Sequence, residues 1–175
     1  MNDLASRVAA TLRDVPDFPK PGISFKDITP VLGNAALLRE VVDAMADPWR
    51  DEGITHVAGI ESRGFILAAP VAIALRAGLV PIRKPGKLPW TRAGKDYALE
   101  YGTDRLEMHV DACPPPARVL LVDDVLATGG TAAAACSLIE QVGGAVVGCG
   151  FLLAIALLEG RKRLEPRRLE AVLRI

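Results

Sequence analysis

The chain has 175 residues, of which 50% are hydrophobic and 24% charged, a size and balance that fit one folded domain around one core. Its 21 lysines and arginines equal its 21 aspartates and glutamates, so it lacks the net basic field that nucleic-acid binders carry. The three cysteines, Cys113, Cys136 and Cys149, are scattered and form no CxxC pair, which argues against a disulfide framework or a zinc site and for a reducing compartment.

Residues 3–12, DLASRVAATL, place apolar groups at helical spacing behind an Asp cap and predict a helix. This N-terminus has acids and arginines but no apolar run, so no secretory leader is expected. Residues 16–34 are rich in proline and glycine and predict irregular chain. They still hold Phe18, Ile23, Phe25 and Ile28, too many apolar groups for a plain linker. Residues 35–50 read as an amphipathic helix. Thr55–Ile60 reads as a strand and Gly64–Gly78 as a helix closed by glycine, in which Pro70 marks either a kink or a late start. Leu79–Lys84 is a second strand. Residues 85–97 have no apolar period and read as a mobile loop. ALEYG (98–102) and RLEMHV (105–110) read as two short strands around a Gly-Thr-Asp turn. Val119–Val122 is an unbroken apolar run, the pattern of a strand covered on both faces. Residues 131–144 read as a helix stopped by two glycines. Ala145–Leu158 reads as a strand, too short and too interrupted by glycine to span a bilayer. Leu169–Ile175 is a last strand.

Strands alternating with helices of this length predict one α/β domain over residues 1–175, a parallel sheet flanked by helices. A cytoplasmic location is expected, with neither a membrane nor a nucleic acid as partner. Ligands of such folds bind at the carboxyl ends of the strands, here Ile60–Gly64, Arg83–Lys87 and Asp123–Thr131. The last of these lies in VLLVDDVLATGGT, Val119–Thr131. Strand-loop-helix order puts Ala127, Thr128, Gly129, Gly130 and Thr131 at a helix N-terminus, where unpaired N–H groups and the helix dipole favour an anion. No Gly-Lys-Ser/Thr follows, so it is not a Walker loop. Taken alone, TGGT is also compatible with an ordinary glycine turn. Asp123 and Asp124 just upstream suit the vicinal hydroxyls of a ribose, and the pair also fits a solvated acidic turn or magnesium ligands.

A hydrophobic strand, two acids, two apolar residues, one further residue and Thr-Gly-x-Thr together resemble the phosphoribosyl diphosphate motif of type I phosphoribosyltransferases. DFPKPGISFKDITPVL, GIESRGFILAAPVA, PIRKPGKLP and YALEYGTDRLEMHVDA are similar to segments of the adenine-using members, in the same order, over residues 17 to 165. The resemblance implies a twisted parallel sheet with an N-terminal hood at about residues 16–34 and a mobile catalytic loop. It implies transfer of a phosphoribosyl group from phosphoribosyl diphosphate to adenine, giving AMP and pyrophosphate in purine salvage. A phosphoribosyltransferase for another purine base and a non-enzymatic sensor of phosphoribosyl diphosphate are the alternatives. No G-x-G-x-x-G follows the first strand, which disfavours a generic dinucleotide fold.

Residue by residue, the resemblance assigns Asp123 and Asp124 to the ribose, and Ala127 to Thr131 to the 5′-phosphate. It assigns Ser62 and Arg63 to the pyrophosphate, on a tight turn that often holds a cis non-proline peptide. Arg83, Lys84 and Lys87 approach the same pyrophosphate, with Lys87 as a candidate to cross from a second subunit of a homodimer. Arg63 taken by itself would also suit a surface ion pair with Glu61. Glu100 is the candidate acid/base at the purine imidazole edge, and Arg63 joins it as catalytic. Tyr97 matches a family tyrosine near the site or packs at the base of the lid. Phe25, Lys26 and Val125 are expected around adenine, with Lys26 where many members carry Arg. Ala127 stands where oxopurine enzymes carry an acid, which favours adenine. Mg2+ is expected as cofactor, held mainly by substrate and water rather than by a protein metal cluster.

Overall fold

The computed structural model describes residues 3–98 and 103–175. Helix α1 (Asp3–Thr11) buries Ala5 and Val8, one turn apart on one face. The residues expected to be irregular contain more order than their prolines suggest. Strand β1 (Arg13–Val15) pairs antiparallel with β2 (Phe25–Asp27), matching Val15 to Phe25. The intervening turn is closed by Phe18 N–H donating to the Ile23 carbonyl (3.1 Å) and Gly22 N–H donating to the Asp17 carboxylate (2.7 Å). A short helix, α2 (Thr29–Leu32), leads to α3 (Ala35–Ala46), which starts where Asn34 Oδ1 accepts from Leu37 N–H (3.1 Å). Leu37, Val41 and Met45 repeat at four-residue intervals and form the buried stripe of α3.

Strand β3 (His56–Ile60) is followed by α4 (Arg63–Leu75) and β4 (Gly78–Ile82). The helix runs through Pro70 and is closed not by glycine but by Arg76 in the left-handed conformation (φ +55°). Gly78 is instead the first residue of β4. The segment read as a loop over residues 85–97 is irregular only at its start. β5 (Arg92–Ala98) pairs with β6 (Thr103–His109) in an antiparallel hairpin. The strand escapes a reading by apolar period because its cross-strand partners are charges. Asp96 faces Arg105, and their side chains meet at 2.9 Å. Strand β7 (Arg118–Leu126), helix α5 (Gly130–Gln141), strand β8 (Ala145–Ala154) and strand β9 (Arg168–Arg174) complete the chain. β8 ends sooner than its apolar run, and short 3₁₀ turns cover Ala156–Leu158 and Gly160–Arg163.

The central sheet has the order β4-β3-β7-β8-β9 with every pairing parallel. Val119, Leu120, Leu121 and Val122 are all fully buried. Alternation sends Leu120 and Val122 to the face covered by α1, α3 and α4. Val119 and Leu121 face the side covered by α5 and the hairpin. The three cysteines are free and buried. From β3 the chain moves outward to β4, but from β7 it moves the other way, to β8. The order therefore reverses between β3 and β7, and the crevice at their carboxyl ends is the topological switch point where ligands of open α/β sheets bind.

Candidate active site

A cavity of about 480 Å3 opens at that switch point. Its walls come from distant parts of the chain: Ile23–Lys26 of the hood, Ile60–Arg63 at the end of β3, Lys84, Tyr97, the run Asp123–Ala132 from the end of β7 into α5, and Ile155 with Leu158 after β8. Ser62, Arg63, Lys84, Asp123, Asp124, Val125, Ala127 to Thr131, Phe25 and Lys26, all expected in the site, thus share one cavity. Glu100 lies outside the described residues.

The end of β7 builds the floor. Gly129 takes φ +79° and caps α5 with no side-chain hydrogen bond, so the first N–H groups of the helix face the cavity without a protein cap. A β-carbon on Gly129 would collide with the carbonyl oxygen of Gly160, and one on Gly160 with that of Ala127. The turn at Gly160 is therefore pressed against the back of the loop and holds its curl. Gly64 is required for a similar reason. A β-carbon there would sit 2.7 Å from Asp123 Oδ1.

Asp124 is only 4% exposed, and its carboxylate takes the Nε–H of Arg63. The same guanidinium lies 4.9 Å from the centre of the Phe25 ring, so one arginine joins hood, turn and floor. Asp124 N–H donates to Asp123 Oδ1 (2.9 Å). Burial and the adjacent Asp124 carboxylate raise the Asp123 pKa well above its ordinary value, with Arg63 acting in the opposite sense.

Arg63 therefore does not pair with Glu61, the alternative its sequence neighbourhood offers. Glu61 instead receives two bonds from Arg83 (3.2 Å each) and one from Lys84 N–H (3.0 Å), and the Arg83 bonds lead the lowering of its pKa. Arg83 also donates to the Lys87 carbonyl (3.1 Å). Neither Arg83 nor Lys87 lines the cavity, so within one chain they stand apart from the other expected anion contacts. The Glu61–Ser62 peptide is cis. Lys84 does reach the cavity, where its ammonium donates to Tyr97 Oη (3.1 Å) and to the Asp104 carboxylate. Burial opposes its charge, but Asp104 and Tyr97 outweigh that and raise its pKa. Lys26 contributes to the wall while its ammonium pairs with Asp14 of β1. Phe25 is steadied edge-on by Phe18, with ring centroids 5.2 Å apart.

Sequence reasoning missed Ile155, Leu158 and Asp104. Leu158 stood in a run read as strand. The Gly160 turn just beyond it was the available signal that the strand stops early.

Each cation in the cavity thus has an acid partner. Beside them lie an open amide loop, a carboxylate pair and a hood that carries an aromatic ring. That combination defines a phosphoribosyltransferase-type site, and a sequence model described as the phosphoribosyl transferase domain matches residues 29–172. A relative from Myxococcus xanthus named adenine phosphoribosyltransferase is 55% identical over 170 residues, covering 97% of this chain and 92% of its own. The crystal structure of the adenine phosphoribosyltransferase from Rhodothermus marinus superposes with a TM-score of 0.94 at 53% identity, covering 98% of each chain. The Saccharomyces cerevisiae enzyme, solved with adenine and an imino-altritol bisphosphate, superposes with a TM-score of 0.92 at 35% identity, covering 99% of this chain and 100% of its own. The chain belongs to the adenine phosphoribosyltransferase family.

Proposed function

We propose that this protein transfers the 5-phosphoribosyl group of phosphoribosyl diphosphate to adenine, releasing AMP and pyrophosphate. The observation that carries the proposal is the single cavity in which the anion loop, the Asp123–Asp124 pair and the Phe25 wall meet. The 5′-phosphate sits on the N–H groups of Ala127 to Thr131, and the ribose hydroxyls replace Arg63 as partners of Asp124. Arg63, once released, and Lys84 take the pyrophosphate together with Ser62. Lys87 joins them from the lid or from a second subunit, and Arg83 from the end of β4.

The bond from C1′ to the pyrophosphate oxygen breaks as the bond from C1′ to the base nitrogen forms. The imidazole-edge proton leaves the base, with Glu100 as its proposed acceptor. Positive charge gathers on the sugar as pyrophosphate departs, so excluding water is part of the work of the lid at residues 85–91. Phe25, Val125 and Leu158 offer apolar surface to the purine, with Lys26 at its rim. Ala127 leaves no carboxylate at the position that oxopurine members use.

Magnesium fits this site as a partner of the donor. Among the described residues no group of three or more His, Cys, Asp or Glu side chains is placed to hold a metal. Asp123 and Asp124 are the hard oxygen ligands at hand, and a magnesium ion bound to diphosphate keeps most of its shell as phosphate and water. Its chemistry would be charge neutralisation on the leaving pyrophosphate.

A homodimer is supported by apolar surface. Ile66 and Ile73 stand two turns apart on α4, and Leu79 lies on the edge strand β4, all exposed. No helix among the described residues is long and apolar enough to cross a membrane. The buried free cysteines suit the cytoplasm.

The test is base consumption by purified protein with phosphoribosyl diphosphate and magnesium, comparing adenine, hypoxanthine, guanine and xanthine. AMP formation with adenine alone is the predicted result. Turnover of an oxopurine in preference to adenine, or no AMP from folded protein at saturating donor, would overturn it.

A further inference from the structure

Among the described residues, Glu107 and Asp124 are the two charged side chains with least exposure, at 6% and 4%. Asp124 belongs to the floor of the site, whereas Glu107 lies on β6 and outside the cavity lining. A carboxylate removed from water is costly unless several donors meet it. Glu107 meets three: Gly86 N–H at 3.1 Å, Arg92 Nε at 2.9 Å and Arg105 Nε at 3.5 Å. Burial pushes its pKa up, but those three partners outweigh burial and hold it below the usual carboxylate value. Its backbone is equally committed. Glu107 N–H donates to the Arg83 carbonyl and Arg83 N–H to the Glu107 carbonyl, both at 2.8 Å, in an isolated bridge.

These contacts converge on one segment. Gly86, at φ +74°, stands near the start of the irregular residues 85–91, and Arg92 just past their end. One buried carboxylate therefore ties both ends of the lid. Its backbone bridge fixes the hairpin beside the end of β4, next to Lys84. Lys84 in turn rests on Tyr97 of β5 and Asp104 of β6, so the hairpin's placement decides where that ammonium points.

We propose that Glu107 is a positioning residue for phosphoribosyl diphosphate, setting the lid segment 85–91 and Lys84 against the pyrophosphate end of the cavity. It acts through Gly86, Arg92 and the hairpin and does not touch the substrate. The inference rests on the donor assignment made above. Glu107→Gln keeps the shape and can still accept from Gly86, but it no longer neutralises Arg92 and Arg105. Arg92→Gln breaks the same tie from its half-exposed side.

Steady-state AMP formation, with donor and adenine varied in turn, reads the effect. For Glu107→Gln the donor KM rises about tenfold, kcat falls less than about threefold and the adenine KM stays within about twofold, the pattern of lost ground-state binding to one substrate. Arg92→Gln moves the same constant in the same direction, and the double variant adds little to the larger single effect. A fastening of purely structural value would lower the melting temperature and kcat while leaving both KM values in place, and that result overturns the proposal. If Glu107→Gln does not fold, Arg92→Gln decides alone, and an unchanged donor KM overturns it. Asp124→Asn run alongside separates the two layers. If it raises the donor KM while Glu107→Gln and Arg92→Gln do not, only the role of Glu107 fails. If none of the variants moves the donor KM, the donor assignment itself fails.

Discussion

Replacing Asp124 by Asn changes one oxygen to an amide nitrogen at almost constant volume, and it tests the ribose assignment. A carboxylate that accepts from both ribose hydroxyls makes two charge-assisted bonds, each worth about 1.5–3 kcal/mol. The amide keeps one acceptor oxygen, so close to one such bond is lost. A smaller effect opposes this. In the free protein Asp124 is paired with Arg63, whose side chain is 40% exposed. Pairs with an exposed member contribute about 0–1 kcal/mol, and the substitution removes that competitor for the phosphate. The loss dominates, leaving a net penalty of about 0.5–3 kcal/mol, or about 2- to 150-fold in kcat/KM for the donor. The assay is initial-rate AMP formation with donor varied at saturating adenine, then the reverse. The adenine KM should stay within about twofold, because Asp124 serves the sugar rather than the base. A donor kcat/KM within twofold of the parent would refute the reasoning.

Asp123 supplies a pH test. Its pKa is raised above the ordinary value of 3.8, so between that value and the raised one the folded state binds more protons at this site than the unfolded state does. Its penalty is absent below that ordinary value and grows as pH rises toward the raised one. Asp123→Asn should therefore raise the melting temperature at pH 7–8 and give little change near pH 4. Thermal melts across that range check it, and equal shifts at both ends would count against the buried pair. Gly160→Ala places a methyl group against the Ala127 carbonyl and 2.9 Å from Gly129 N. The anion loop must shift, at a cost of about 1–3 kcal/mol in stability, and the donor KM should rise with it. An unchanged donor KM would mean that Gly160 does not hold the loop. Ile73→Glu changes a side chain that is 79% exposed, so folding should be altered by less than about 0.5 kcal/mol. Light scattering should then report a lower mass than that of the parent, and an unaltered mass would count against a dimer formed through this face.

The strand-loop-helix turn after β7 was legible in the sequence because its signal is local. An apolar strand, two acids, two glycines and a helix follow one another within Val119–Gln141, and their order alone dictates where the open N–H groups point. The same holds for the alternating strands and helices, whose carboxyl-end loops form the site. Partner choice was not legible. Glu61 sits two residues from Arg63, yet it binds Arg83, because the parallel pairing of β3 with β4 sets the strand ends side by side. Arg63 crosses instead to Asp124, which the pairing of β3 with β7 brings near. Arg92–Tyr97 read as loop because a strand held by cross-strand charges shows no apolar alternation. The small β1–β2 pair was hidden for a related reason: three-residue strands are too short to show a period. Leu158 was overlooked because an apolar run does not mark the point at which a strand gives way to a turn.

The central claim is that this one cavity holds base, ribose and phosphate in the stated order, and a crystal structure with AMP bound tests it most directly. The account predicts the phosphate on the N–H groups of Ala127 to Thr131 and the ribose hydroxyls on Asp123 and Asp124, with Arg63 released from Asp124. Adenine should lie against Phe25, Val125 and Leu158. AMP bound with its phosphate away from that loop, or with the Arg63–Asp124 pair intact and the ribose elsewhere, would contradict the account.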